Sequence, residues 1–232
     1  MQLAKTLVLY YITDRSQFPG DEVRRRGLLL AKIADAARAG VDFIQLREKD
    51  LAPRELEQLA RDAVHAIRKA SPSSRGSAIK QSTHLLINSR TDVALACGAD
   101  GVHLRSIDVS ARDARNVASS ALRAGQPSRE WLVAVSCHSV EDVHRAASDS
   151  ADFAVLAPVF EKKGDSASAA LGLRVLEQAC KMSIPVIALG GITLENTSSC
   201  LKAGAAGISG IRLFQDHDIP TAVEKLRQSV GR

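Results

Sequence analysis

The chain turns from a helix into a strand at Ala39-Gly40-Val41-Asp42-Phe43-Ile44-Gln45-Leu46-Arg47. A glycine directly after a helix is typical of a left-handed helix cap, and the mainly apolar run from Val41 to Ile44 predicts a strand. Related joints occur at Cys97-Gly98-Ala99-Asp100 and at Ala203-Gly204-Ala205-Ala206. This repetition predicts a regular fold that is built from helix–strand units.

Short apolar runs alternate with amphipathic segments along the chain. The runs predicted as strands are 7–13, 43–47, 85–88, 101–104, 132–136, 153–157, 185–189 and 207–211. The segments predicted as helices are 24–39, 53–69, 91–97, 111–122, 140–148, 173–182, 194–203 and 219–230. Polar, glycine- or serine-rich stretches at 71–82, 125–128 and 161–170 are predicted as loops.

Alternating strands and helices imply a parallel sheet with right-handed crossovers. Eight such units in 232 residues predict an α/β fold of one domain, a (β/α)8 TIM barrel over residues 1–232. An open, doubly wound sheet is the alternative. Its dinucleotide-binding form is weakened because no G-x-G-x-x-G motif follows the first predicted strand.

The composition favours a small phosphorylated ligand over nucleic acid. The formal charge is +5, but the lysines and arginines are spread along the chain, and aromatic residues make up only 3%. Stacking platforms for single-stranded nucleic acid are therefore scarce. The four cysteines form no C-x-x-C pair, which is typical of a reduced compartment. Because neither a signal-peptide pattern nor a membrane-length apolar run is present, we expect a cytoplasmic protein without a membrane partner.

The end of the second predicted strand carries a set of anion-binding side chains. Successive residues of a strand point to opposite faces, so Gln45, Arg47 and Lys49 share one face, while Leu46 and Glu48 share the other. One amide and two cations at a strand end suit a multiply charged anion such as a diphosphate. A solvated, charged turn is the alternative interpretation.

Other strand ends carry candidate residues, because chemistry in this fold occurs at the carboxyl ends of the strands. A phosphate-binding site is predicted at Gly190-Gly191-Ile192 and Ile208-Ser209-Gly210, although a tight turn would explain the first motif equally well. Lys162 and Lys163 lie in the loop after the sixth strand. They could close over a diphosphate or simply be solvated.

Three single residues have two interpretations each. Asn88 could bind a heterocycle or phosphate, or it could cap the following helix. Asp108 could bind Mg²⁺ or cap a helix. Ser136 is predicted to donate a hydrogen bond to a ligand, whereas the adjacent Cys137 and His138 point to opposite faces and make a poor catalytic pair.

Motifs at the strand ends, taken in order, extend over nearly the whole chain. They are Tyr11-Ile12-Thr13-Asp14, Gln45-Leu46-Arg47-Glu48-Lys49, Asn88 with Arg90 and Asp92, Gly98-Ala99-Asp100-Gly101-Val102-His103-Leu104, Ser136 with His138, Pro158-Val159-Phe160, Gly190-Gly191-Ile192 and Ile208-Ser209. Together they resemble the thiamine phosphate synthase family and its sister branch, the TenI-type thiazole tautomerases. The resemblance implies a (β/α)8 barrel that joins hydroxymethylpyrimidine diphosphate to a thiazole phosphate and releases pyrophosphate with the help of Mg²⁺.

The resemblance also implies a role for each matching residue. Arg47, Lys49 and Ser136 would be the catalytic residues. The pyrimidine diphosphate would be bound by Gln45, Arg47, Lys49, Asn88 and Ser136. Lys162 or Lys163 could take the place of the family's loop lysine after a small shift of the loop. The thiazole phosphate would be bound by Gly191, Ile208 and Ser209, and Asp108 would bind Mg²⁺. The partners would be these small molecules, and assembly into a homo-oligomer is left open.

The chain departs from the family pattern at three places. Ser89 stands where synthases usually have an acid, and Arg105-Ser106-Ile107-Asp108 replaces Gly-Gln-Glu-Asp. In the loop after the sixth strand, an ungapped count puts Asp165 where a lysine belongs. Pro158 replaces the histidine that is common in tautomerases. The intact Gln-x-Arg-x-Lys set favours a synthase. A tautomerase and a non-catalytic, phosphate-binding barrel are the alternatives.

Overall fold

Eight parallel strands close into a barrel in the computed structural model, which describes residues 7–70, 83–122, 131–161 and 169–229. The strands are β1 Val8–Ile12, β2 Phe43–Leu46, β3 His84–Asn88, β4 Gly101–Leu104, β5 Leu132–Cys137, β6 Phe153–Leu156, β7 Val186–Ala188 and β8 Gly207–Gly210. Each strand pairs with the next in sequence, and β8 pairs with β1. The predicted TIM barrel is confirmed, and the open sheet is excluded.

The helices lie in the crossovers between successive strands or, for the last two, after β8. They are α1 Glu22–Arg38, α2 Pro53–Ala70, α3 Thr91–Cys97, α4 Ala111–Leu122, α5 Val140–Ser148, α6 Gly172–Ala179, α7 Thr197–Lys202, α8 Arg212–Gln215 and α9 Ile219–Gln228. A 3-10 helix covers Arg15–Gln17. All eight predicted helices are present. The two short helices, 15–17 and 212–215, were not predicted, because one turn is too short to show a helical period.

The hydrophobic residues form two layers, one inside the barrel and one between the strands and the helices. The inner layer consists of Val8, Tyr10, Phe43, Leu86, Leu132, Ala134, Phe153, Val155 and Ile187. Within it, the rings of Tyr10 and Phe153 meet edge to face at 5.6 Å between centroids, an arrangement that aromatic pairs favour. This packed interior closes the barrel below the carboxyl ends of the strands, so a ligand can enter only from that mouth.

Aspartates reinforce the opposite, amino-terminal mouth at alternate strands. The carboxylates of Asp42, Asp100 and Asp152 accept hydrogen bonds from the amide groups of Leu9, Leu85 and Val133, each at 2.7 Å. Each aspartate precedes one strand and binds the start of the strand before it. At the fourth such position, before β8, the residue is Ala206.

Two further observations bear on the sequence predictions. No helix within the described residues is long and apolar enough to cross a membrane. All four cysteines of the chain are free thiols. The predicted loops 71–82 and 125–128, and positions 162–168 of the third, lie outside the described residues.

Candidate active site

A cavity of about 1220 Å³ opens at the carboxyl ends of the strands. Seven of the predicted ligand-binding residues line it: Gln45, Arg47, Lys49, Asn88, Ser136, Gly191 and Ser209. They come from β2, β3, β5, β7 and β8 or from the residues that follow these strands. The fold therefore brings together side chains that are up to 164 positions apart in the sequence, from Gln45 to Ser209.

The anion-binding set at the end of β2 follows the alternation of a strand. Gln45 is buried and lines the cavity, Leu46 belongs to the outer hydrophobic layer, and Arg47 lines the cavity again. The Arg47 amide donates to the Thr13 hydroxyl at 3.0 Å, which fixes the backbone where β2 ends. The predicted alternation is thus present from Gln45 to Arg47. Beyond the end of β2 at Leu46 it is lost, because Glu48 lines the cavity together with Lys49.

Arg47 is a half-buried cation that faces the cavity. Among the described residues, no carboxylate lies within ion-pair distance of its guanidinium, although Asp14 and Glu48 act on it electrostatically from further away. Burial lowers the pKa of Arg47, but an arginine side chain remains protonated at neutral pH. A desolvated cation without a counter-ion is costly, and an anion bound in the cavity would offset that cost.

A buried network holds Glu48 away from Arg47. The Glu48 carboxylate accepts from the Thr13 hydroxyl at 2.6 Å and from the Arg15 guanidinium at 3.1 Å. Arg15 also pairs with Asp50 and Glu22, and this pairing raises the pKa of Arg15 further above its usual value. Because Glu48 is satisfied by these donors, it does not compete with a ligand for Arg47.

A chain of hydrogen bonds runs from the barrel interior to the cavity. The Tyr10 hydroxyl lies 2.8 Å from His103 Nδ1, and His103 Nε2 lies 2.8 Å from Ser136 Oγ. Burial lowers the pKa of His103 to about 3, so its imidazole is neutral at physiological pH. The sequence analysis did not select His103 or Tyr10, because a buried histidine or tyrosine on a strand gives no periodic signal.

Cys137 and His138 occupy opposite faces of β5, as the strand pattern predicts. Cys137 is buried in the outer layer, and burial raises the pKa of its thiol to about 12. His138 lines the cavity, and its Nδ1 lies 2.8 Å from the Ala157 carbonyl oxygen. A Cys–His catalytic pair is therefore excluded by the geometry.

Backbone conformation and close packing explain why the residues after β7 are glycines. Gly191 has a φ of +64°, and a Cβ atom at this position would lie 2.6 Å from the Glu161 carbonyl oxygen. Gly190 has a φ of +93° and packs equally closely against Pro158. These glycines dock the segment after β6 onto the segment after β7. Both also line the cavity, so the predicted phosphate contact stays a prediction.

The two predicted residues of β8 point in different directions. Ser209 lines the cavity, and its hydroxyl donates to the Ala188 carbonyl at 3.3 Å. The side chain of Ile208 is fully buried in the outer hydrophobic layer. Neighbouring residues of one strand point to opposite faces, so the Ile208 side chain does not face the cavity. A contact between the phosphate and Ile208 would have to come from its backbone, and it stays a prediction.

Asn88 faces the cavity and does not cap α3. The N-cap residue of that helix is Arg90, without a side-chain cap hydrogen bond, and the Asn88 amide lies 3.2 Å from the Ser89 hydroxyl. The helix-cap interpretation of Asn88 is therefore excluded. Arg90 pairs with Asp92, so Asp92 supports the first turn of this short helix.

The residues around Asp108 do not fit a magnesium site. One Asp108 oxygen accepts from the Arg105 amide at 2.8 Å, and the other accepts from the Arg105 guanidinium at 2.7 Å. Ser89 stands at the position of the missing second acid and offers a hydroxyl in place of a carboxylate. Among the described residues, no group of three or more His, Cys, Asp or Glu side chains could hold a metal ion. A single carboxylate already neutralised by an arginine is a poor donor set for Mg²⁺.

Two predicted lysines lie outside the described residues, and two arginines that were not predicted line the cavity. Lys162 and Lys163 lie outside the described residues, so their predicted contact stays untested. Arg105 and Arg212 line the cavity but were not selected as ligand-binding residues. Arg212 begins the unpredicted helix α8, which is why no signal in the sequence marked it.

Comparison with known proteins gives a consistent result. A family model described as thiamine monophosphate synthase matches residues 9–214. A putative thiamine-phosphate synthase 2 from Aquifex aeolicus is 38% identical over 207 residues, which are 89% of this chain and 96% of that protein. A thiamine-phosphate synthase from Methanoculleus marisnigri is 33% identical over 226 residues, 96% of this chain and 95% of that protein. The structure of a thiamine phosphate pyrophosphorylase from Pyrococcus furiosus superposes with a TM-score of 0.76 at 27% identity, covering 99% of this chain and 97% of that one.

Proposed function

Because the chain belongs to the thiamine monophosphate synthase family, we propose that it is a transferase that condenses hydroxymethylpyrimidine diphosphate with a thiazole phosphate. The products are thiamine phosphate and pyrophosphate. Both substrates are small phosphorylated molecules, in keeping with a cavity of about 1220 Å³ at the mouth of a barrel. We place the reaction in the cytoplasm.

The observation that carries this proposal is Arg47. It is a half-buried guanidinium that faces the cavity and has no carboxylate at ion-pair distance among the described residues. Gln45 and Lys49 line the cavity on either side of it in sequence. A bound diphosphate would supply the negative charge that pairs with Arg47. The thiazole substrate carries a single phosphate, for which the β7 and β8 side of the cavity is sufficient.

The two halves of the cavity suit two different substrates. The half formed by β2, β3 and β5 offers Arg47, Asn88 and Ser136 to the pyrimidine diphosphate. The half formed by β7 and β8 offers the backbone around Gly191 and the hydroxyl of Ser209 to the thiazole phosphate. This division supports a bimolecular condensation in which the protein positions both reactants.

The chemistry requires charge stabilisation rather than a side-chain nucleophile. The bond between the pyrimidine methylene carbon and the diphosphate oxygen breaks, and its electron pair leaves with pyrophosphate. Arg47 and Lys49 stabilise that negative charge, while the electron-rich aminopyrimidine carries the positive charge. The thiazole nitrogen then forms the new C–N bond. The absence of a Cys–His pair at β5 is compatible with this route.

The proposal is tested by incubating the purified protein with both substrates and measuring pyrophosphate and thiamine phosphate. We expect turnover in the wild-type protein. Formation of neither product by a folded protein would overturn the proposal. Binding of both substrates without turnover would identify a non-catalytic barrel, and conversion of a thiazole precursor would identify a tautomerase.

The substitution Arg47→Ala tests the site assignment. Each lost charge-assisted hydrogen bond costs about 1.5–3 kcal/mol, so binding of the pyrimidine diphosphate should weaken about 10- to 100-fold. Binding of the thiazole phosphate should change less than about twofold. Isothermal titration calorimetry with each substrate measures both. Arg61→Ala, which removes an exposed arginine paired with Glu57 on α2, is the matched control. Equal losses for the two substrates would contradict the assignment.

A further inference from the structure

We propose that the guanidinium of Arg105, held in place by Asp108, supplies the positive charge that a divalent metal would otherwise bring to the leaving diphosphate. This inference rests on the proposed function, since it concerns the diphosphate half of the same cavity. It assigns a substrate contact to a residue that the sequence analysis recorded only as a departure from a motif.

The segment between β4 and α4 is folded back on itself by hydrogen bonds between its two ends. The Arg105 amide donates to Asp108 Oδ2 at 2.8 Å, and the Asp108 amide donates to the Arg105 carbonyl at 3.1 Å. The guanidinium donates to Asp108 Oδ1 through Nε at 3.1 Å and through a terminal nitrogen at 2.7 Å. Because backbone and side chain are held together, the guanidinium has a fixed position at the rim of the cavity.

Asp108 is much less exposed than the cation paired with it. Its side chain is 11% exposed, whereas that of Arg105 is 56% exposed. Arg105 lines both the cavity and a smaller pocket, whereas Asp108 is among the lining residues of the smaller pocket. This pair therefore presents its cation, rather than its carboxylate, to the cavity. A metal ion at Asp108 would have to compete with Arg105, which donates to both carboxylate oxygens.

Ser89 completes this arrangement from the neighbouring strand. It follows β3, has a left-handed backbone with a φ of +59°, and contributes, after Arg105, to lowering the pKa of Asp108. A hydroxyl at this position stabilises the carboxylate without adding a second negative charge. The group of Ser89, Arg105 and Asp108 is thus close to electrically neutral, with its cation outermost.

A guanidinium is chemically suited to this task. It has five N–H donors, of which Asp108 takes two, and the others can bind phosphate oxygens. Arginine binds phosphate with paired, parallel hydrogen bonds and keeps its charge at any physiological pH. Two arginines, Arg47 and Arg105, would then hold the diphosphate from opposite sides of Asn88.

The test measures binding of inorganic pyrophosphate by calorimetry, in EDTA and in Mg²⁺. We expect the wild-type protein to bind pyrophosphate in EDTA with an affinity within about threefold of that in Mg²⁺. Arg105→Ala should weaken binding in EDTA at least tenfold. Arg38→Ala is the matched control, because Arg38 pairs with Asp35 at the same i,i+3 spacing, is 58% exposed and lies at the end of α1, away from the cavity. Its effect should stay below twofold.

A double variant tests whether a metal ion can take over the role of Arg105. The double variant Ser89→Asp/Arg105→Gly restores the acid and removes the cation, and aspartate tolerates the left-handed backbone of position 89. Mg²⁺ should strengthen its binding of pyrophosphate at least tenfold, and Mn²⁺ should give a protein-bound electron paramagnetic resonance signal that the wild-type protein lacks.

The outcomes separate this inference from the proposed function. Wild-type binding that requires Mg²⁺, or an Arg105→Ala variant that binds as well as Arg38→Ala in EDTA, would overturn the role of Arg105 and leave the synthase proposal standing. A wild-type protein that binds no pyrophosphate under either condition would overturn both.

Discussion

At the scale of single residues, the contacts of His103 determine what Ser136 can offer a ligand. A neutral imidazole has one donor and one acceptor nitrogen. Burial raises the pKa of Tyr10 well above its usual value, and His103 Nδ1 is the one acceptor for the Tyr10 hydroxyl recorded in the described part of the chain. We therefore infer that Tyr10 donates to Nδ1 and that Nε2–H donates to Ser136. The Ser136 hydrogen then points into the cavity as a donor.

Tyr10→Phe tests this assignment. Without the tyrosine donor, the imidazole can shift its proton to Nδ1 and accept the Ser136 hydrogen, so that the ligand loses a donor. We expect kcat/KM for the pyrimidine diphosphate to fall about tenfold, while inorganic pyrophosphate binds within about twofold of the wild-type affinity. Nitrogen-15 NMR of the imidazole should show an unprotonated Nδ1 in the wild-type protein and a mixture of tautomers in the variant.

Tyr11→Phe is the control for this experiment. Tyr11 is the next residue of β1, faces outward and donates to Gln215 at 3.0 Å. Each variant removes one buried hydroxyl and should cost about 1–3 kcal/mol of stability. Only the Tyr10 variant should change kcat/KM. If the two variants change kcat/KM equally, the hydrogen-bond chain has only a structural role.

The alternation of side chains along a strand predicted much of the site at this scale, and it also limits what Ile208 can contribute. It placed Gln45 and Arg47 together and separated Cys137 from His138, as the structure shows. Applied to β8, the same rule separates Ile208 from Ser209. The glycines beside them do not reveal which of the two faces inward. His103 could not be found in this way, because its role depends on partners on β1 and β5.

At the scale of elements, the aspartates of the amino-terminal mouth connect neighbouring strands. Asp152 precedes β6, and its carboxylate accepts from the Val133 amide at 2.7 Å and from Arg115 at 2.9 Å. The Asp152 amide donates to the Val133 carbonyl at 2.8 Å. Two of these hydrogen bonds join the start of β6 to β5, and the third joins it to α4, so one residue connects three elements.

Asp152→Ala should destabilise the barrel without affecting the reaction. It leaves the buried amide of Val133 without its acceptor, which costs about 1–3 kcal/mol. Urea unfolding should show this loss, and kcat/KM should stay within about twofold of the wild-type value. Asp62→Ala, an exposed position on α2, should change stability by less than about 0.5 kcal/mol. A loss as small for Asp152 as for Asp62 would contradict the structural role.

The sequence predicted the elements where a period is long enough to show. The predicted first and last residues of α3, α4 and α5 are the same as in the structure. Helix α7 is shorter at both ends than the predicted 194–203. Before it, Thr193 and Asn196 hydrogen-bond to each other's backbone amides and form a turn. Such local side-chain contacts compete with helix formation and leave no trace in the apolar pattern.

At the scale of the whole molecule, closure of the barrel depends on the contact between its first and last strands. Val8 is opposite Gly207 at this seam, and a Cβ atom on Gly207 would lie 2.3 Å from the Val8 carbonyl oxygen. Eight strand–helix units in sequence predicted closure by their number. The glycine at the seam could not be recognised as necessary, because its neighbour is 199 positions away.

The two mouths of the barrel should act independently, and a double variant tests this. Arg47 follows β2 at the carboxyl end, and Asp152 precedes β6 at the amino end. A four-residue strand spans about 13 Å, so the two side chains are too far apart to share a partner, and substitutions this distant add to within about 0.5 kcal/mol. We expect the double variant Arg47→Ala/Asp152→Ala to lose as much stability as Asp152→Ala alone. It should lose as much affinity for the pyrimidine diphosphate as Arg47→Ala alone. Urea unfolding and calorimetry on all four proteins complete the cycle. A coupling above about 1 kcal/mol in the free energy of unfolding or of binding would mean that the packed aromatic interior around Tyr10 and Phe153 transmits strain between the mouths. The expected independence of stability and ligand binding would then be contradicted.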